Sequence, residues 1–133
     1  MRTVEKDIHT DYVADAVFGT RHTEHYRAQL LWAHVTVTTT ATAGNRTILF
    51  SVVRDSDSAV LYTISAGVNQ AASTVRHYNF VPGAVREGSF SGGNEILLPL
   101  APIIFGAGIS LKITDVNAVD AADTYALGYQ AEK

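Results

Sequence analysis

Between positions 31 and 38 the chain changes polarity at every residue. Leu31, Ala33, Val35 and Val37 alternate with Trp32, His34, Thr36 and Thr38. A period of two places the first set on one face of a β-strand and the second set on the other. The rhythm returns at 109–114, where Ile109, Leu111 and Ile113 alternate with Ser110, Lys112 and Thr114. Shorter apolar runs lie between these segments, each stopped by turn chemistry. Residues 47–54 read as a strand closed by Asp55-Ser56-Asp57-Ser58, whose short polar side chains bond their own backbone in turns. Residues 60–66 then return as a hairpin, and without an Asn-Gly or Asp-Gly pair its loop is longer than two residues. A strand at 73–80 stops at Val81-Pro82-Gly83, and Gly92-Gly93-Asn94 precedes another at 95–99. Ile103-Ile104-Phe105 ends at Gly106-Ala107-Gly108, and residues 124–130 supply a closing strand. With a short element near 12–18 this makes about eight closely spaced strands, an all-β antiparallel sandwich or jelly roll.

Two segments also admit a helix. Val4, Ile8 and Tyr12 recur every four residues, as a short helix or an extended arm, and 117–123 has the composition of one helical turn in a loop. The first 27 residues differ from the rest. They hold nine of the 23 charged residues and three of the five histidines, interleaved with Val4, Ile8, Tyr12, Val13, Val17 and Phe18. We therefore divide the chain into an N-terminal arm and first strand at 1–27 and a β-sandwich domain at 28–133. Regular apolar anchors among charges suit an arm that docks on its own domain or on a neighbour. The alternative is an edge strand with a frayed terminus.

Composition supports the fold and narrows the chemistry. Val, Ile and Thr supply 14, 8 and 14 of the 133 residues, and β-branched side chains suit a pleated surface. A chain of this length makes one domain that buries about two-thirds of its surface. With no cysteine there is no disulfide, thiolate zinc site, iron–sulfur cluster or cysteine nucleophile. A net charge of −3 argues against a nucleic-acid binder that works by neutralising phosphates. No apolar run approaches the ~20 residues of a membrane span. The polar N-terminus does not read as a signal peptide, so a soluble domain without classical export is expected.

No motif with a stated chemical mechanism emerges. His22-Thr23-Glu24-His25 contains metal-ligand types, but no third ligand follows at a useful spacing. Asp115, Asn117, Asp120 and Asp123 are rich in oxygen but lack the Gly and Glu of a calcium loop, and Asx turns between strands account for them. No Gly-x-Ser-x-Gly elbow is present, and neither Gly-rich turn opens a helix that could hold phosphate. No catalytic, cofactor or metal residue is assigned, and the protein is expected not to be an enzyme. Trp32 lies on a largely polar strand face, covered either within the monomer or by another chain.

The phrases Phe80-Val81-Pro82-Gly83, Ile96-Leu97-Leu98-Pro99-Leu100-Ala101-Pro102, Gly108-Ile109-Ser110-Leu111-Lys112-Ile113 and Asp120-Ala121-Ala122-Asp123-Thr124 resemble small β-sandwich proteins of tailed-bacteriophage virions, including capsid decoration (cement) proteins. The resemblance covers about two-thirds of the chain and has no ligand signature inside it. It implies a structural protein on the virion surface, made in the host cytoplasm. It further implies contact with the major capsid protein, often as a homotrimer, with no cofactor, nucleic acid or membrane. Contact residues on this reading are Val4, Ile8, Tyr12, Val13, Val17, Phe18 and Trp32. Two alternatives stand beside it. One is a receptor- or carbohydrate-binding module stacking ligands on Trp32, Tyr78 and Phe80. The other is a small β-barrel enzyme in which His9, His34 and His77 converge.

Overall fold

The alternating segment at 31–38 belongs to β3 (Ala28–Thr38), which sits at the centre of the larger sheet. The computed structural model describes residues 4–11, 15–18, 28–54, 56–105 and 109–132, and assigns ten strands among them. In the larger sheet β1 (Val4–Asp11) pairs with β10 (Thr124–Glu132), β10 with β3, β3 with β6 (Val75–Pro82), and β6 with β7 (Glu95–Leu100). The short β8 (Ile104–Phe105) adds to the start of β3. The second sheet runs β2 (Asp15–Phe18), β9 (Ile109–Asp115), β4 (Ile48–Arg54), β5 (Ala59–Ser65). With β7 and β8 set aside, the orders β1-β10-β3-β6 and β2-β9-β4-β5 are those of an eight-stranded jelly roll. The segment read as an arm thus contributes a strand to each sheet, and β1 is extended rather than helical. At 117–123 the chain forms turns and no helix.

Three local expectations need correction. On β3, Ala33, Val35 and Val37 are buried as expected, but Leu30 rather than Leu31 continues the buried row. Gln130 pairs with Trp32 while Ala131 pairs with Leu30, so Leu31 is the extra residue of a β-bulge and the alternation flips there. On β6 the strand continues through Val81 and Pro82, opposite Pro99 and Leu100, and the turn begins at Gly83 with φ +76°. The sandwich is also not antiparallel throughout. β6 and β7 run parallel, because the connection 83–94 is long enough to return the chain to the same end of the sheet. The β4–β5 hairpin matches expectation: Arg54 pairs with Ala59, so more than two residues separate the paired ends, with a turn at 56–58.

The core lies between the sheets and is filled by large side chains. Tyr78, Phe80, Tyr125 and Tyr129 from the larger sheet meet Ile48, Phe50, Leu111 and Ile113 from the smaller, all fully buried. Phe50 and Phe80 stack across the gap with centroids 4.9 Å apart. Tyr78 donates its hydroxyl to Gln70 Oε1 at 2.7 Å, and Gln70 Nε2 donates to the Val37 carbonyl at 2.8 Å. Burial pushes the Tyr78 phenol well above its usual range. It is therefore a permanent donor.

One end of the sandwich is fastened by a buried ion pair. Arg46, fully buried, donates from Nε and Nη2 to the two oxygens of Asp123 at 2.8 and 3.1 Å, and from Nη1 to the carbonyls of Thr42 and Gly44. Asp123 also accepts the Thr40 amide, and the Arg46 backbone pairs with Gln70. Loops 39–47, 66–74 and 116–123 are thereby tied together. Gly44, at φ +134°, is held to this role, because a Cβ there would press on Val119 at 3.1 Å.

Candidate functional site

The outward face of the larger sheet carries the side chains that β3 alternation sends away from the core. Strand register sets them in rows. Ala126, Thr36, His77 and Glu95 form one row, and Gly128, His34, Asn79 and Leu97 form the next. Trp32 and Gln130 begin a third. Because Ala126 and Gly128 carry almost no side chain, the surface sinks beside His34 into an open trough of about 690 Å³. Trp32, Val81 and Leu97 supply its apolar walls, while His34, Thr36 and Asn79 supply polar groups.

These side chains are held in fixed positions. Trp32 donates its indole N–H to Gln130 Oε1 at 2.9 Å. His34 and His77 stack with centroids 5.6 Å apart, bridged by Thr36 Oγ1 at 3.2 Å from His34 Nε2 and 2.9 Å from His77 Nδ1. His34 Nδ1 meets Asn79 Oδ1 at 2.5 Å. With both rings neutral the hydrogens close as His77 Nδ1–H to Thr36 Oγ1, Thr36 O–H to His34 Nε2, and His34 Nδ1–H to Asn79. Both ring nitrogens of His34 are engaged by the protein's own groups. This network fixes the His34 and His77 rings against each other and against Thr36 and Asn79.

The positions singled out in the sequence separate as follows. Trp32 lies half-buried in the trough, on the face predicted for it. Tyr78 and Phe80 do not join it as a stacking platform, because both are fully buried between the sheets. His34 and His77 converge on an open outer face, while His9 stands opposite Leu127, in the intervening row whose Leu127, Val35 and Tyr78 are buried in the core. Val4 and Ile8 lie on β1 opposite Glu132 and Gly128, and Val17 and Phe18 lie on β2 opposite Lys112 and Leu111. Tyr12, Val13, His22 and His25 fall outside the described residues. Among the described residues, no three His, Asp or Glu gather as a metal set, and no helix is long and apolar enough to cross a membrane.

The oxygen-rich stretch that suggested calcium is occupied by the chain's own donors. Asp115 Oδ1 accepts the amides of Thr47 and Asn117, and its Oδ2 accepts that of Val119. Asp120 accepts the hydroxyls of Thr40 and Thr42, both at 2.6 Å, and the Ala122 amide. The i, i+2 amides at Asn117 and Ala122 are the expected Asx turns. The cation for Asp123 is Arg46, a residue nothing in its own neighbourhood singled out. Those Thr40 and Thr42 hydroxyls hold the Asp120 carboxyl down to about 2. Its folded value therefore lies below the unfolded one, near 4. The stabilisation is complete above that value and drains away as pH falls towards about 2. Urea midpoints followed from neutral pH to pH 2 should fall through this window, and Asp120→Asn should flatten that part of the profile. An unchanged slope in the variant would remove Asp120 from the account.

No protein-family model, curated protein or solved structure matches the chain.

Proposed function

We propose that this protein decorates the head of a tailed bacteriophage, bridging neighbouring shell subunits through its outer trough, and that it catalyses nothing. The observation that carries the reading is the trough itself. Its apolar walls stand on a rigid jelly-roll face, and its polar groups are already fixed in place. Such a surface suits a protein segment bearing an aliphatic or aromatic side chain better than a reacting small molecule. The fold supports the reading, since jelly rolls recur in viral capsid proteins, and the phage-like phrases from 80 to 124 agree with it. Each copy needs to contribute only a few kcal/mol, because the lattice multiplies the contact.

The test is to add the purified protein to expanded shells that lack it. Shell melting temperature should rise, with many copies bound per shell. Trp32→Ala and Val81→Lys should weaken binding roughly thirtyfold or more while far-ultraviolet dichroism is unchanged. A few copies at the tail tip, with shell stability indifferent to their loss, would overturn the proposal. That result would favour a receptor- or carbohydrate-binding module, for which the specific observation is the Trp32 ring beside the His34 and Asn79 polar edges.

A further inference from the structure

We infer that β5 is a self-association edge, along which a second copy of this chain pairs antiparallel and extends the smaller sheet across a two-fold axis. The two sheets end on four edge strands, β1 and β7 in the larger and β2 and β5 in the smaller. A strand edge presents unpaired N–H and C=O groups and invites another strand unless something blocks it. β1 carries Glu5, Lys6, Asp7 and Asp11 among its eight residues. β2 has only four residues. β7 contains Pro99, and its Leu97 already gives its amide to Glu87 Oε1 and takes the Glu87 amide on its carbonyl. Each of these edges is blunted by charge, by shortness, or by a proline and a covering loop.

Among the described residues β5 has no charge, no proline and no covering loop, and a bulge at Leu61 is its one irregularity. Its seven residues, Ala-Val-Leu-Tyr-Thr-Ile-Ser, are rich in strand-favouring types. No backbone hydrogen bond from another described segment reaches the outer edge of 60–65. Its bulge falls at Leu61, since Val53 pairs with Val60 and Val52 with Tyr62, and 62–65 continues regularly beyond it. Val60 and Leu61 are 59% and 50% exposed there, next to the open edge.

Charge selects the occupant. Antiparallel self-pairing brings a neutral strand against itself, and Arg54 and Asp57 at its start already neutralise each other at 2.7 Å. A two-fold copy therefore sets no charged side chain of 59–65 against another, and Val60 and Leu61 lose water on both sides of the axis. This inference does not depend on the capsid reading. The trough lies on the other sheet.

Light scattering after size-exclusion chromatography, on the full chain over a wide concentration range, should show a dimer. Leu61→Lys should weaken it at least about tenfold with the melting profile of the monomer retained. Val81→Lys, in the trough, should leave it intact. Hydrogen exchange on the unaltered protein gives a second readout, since amides within 60–65 should gain protection as concentration rises. A monomer throughout, a trimer, a dimer lost through Val81→Lys or indifferent to Leu61→Lys, or 60–65 amides blind to concentration would each overturn the proposal.

Discussion

Asp123→Ala should destabilise the protein by about 3–5 kcal/mol, a large share of the roughly 5–15 kcal/mol that holds a typical domain together. The loss comes from what remains behind. Arg46 has no exposed surface and cannot release its charge, and the carboxylate that meets its Nε and Nη2 would be gone. Arginine keeps its proton at any working pH even without this partner, so deprotonation offers no escape. The Thr40 amide also loses its acceptor. Asp123→Asn keeps the shape and one acceptor and should cost less. Replacing both partners, Arg46→Met with Asp123→Leu, should recover part of the loss, because the penalty belongs to the stranded charge. Urea unfolding of the two single variants and the double variant checks this. An Asp123→Ala loss below about 1 kcal/mol, the scale of an exposed pair, would show that water reaches Arg46.

Phe80→Ala should be nearly as severe, at about 3–5 kcal/mol, or roughly 10–20 °C in melting temperature. Phe80 reaches from the larger sheet to Phe50 on the smaller, with ring planes 35° apart, and neither ring has any exposed surface. Removing it opens a void between two layers whose backbones are fixed by their own ladders, so the site can collapse only in part. Phe80→Leu fills most of that space and should cost far less. Phe50→Ala combined with Phe80→Ala should cost less than the sum of the singles, because the second change removes a contact already lost. Calorimetry of the four variants decides the matter, and full additivity would mean that the rings do not support each other.

The parts of the fold that were legible in the sequence are those fixed by neighbouring residues. The alternation on β3 and β9, the turn at 56–58, and the Asx turns at Asp115 and Asp120 all follow from side chains a few positions apart. What escaped depends on the partner strand. The bulge at Leu31 exists because β10 changes register at Gln130, and no property of Leu30 or Leu31 announces it. The trough needs Gly128 on β10 beside His34 on β3, and the clamp needs Asp123 on Arg46, 77 positions away. Tyr78 and Phe80 illustrate the same limit from the other side. Their alternation with His77 and Asn79 marks them as one face of a strand, but which face is the core is decided by the sheet behind them.

The clamp also gives the molecule a direction that matters to anyone who wants to build on it. Strand β4 begins beside Arg46, with Ile48 opposite Asp115, and ends at Arg54 opposite Ile109, so the turn at 56–58 lies about 23 Å from the fastened loops. A peptide grafted into that turn would project from the unfastened end, where Ser56, Asp57 and Ser58 are exposed and their loss strands no buried charge. The same graft at 40–46 would pull apart the contacts around the guanidinium. As a display scaffold, the protein is one-ended.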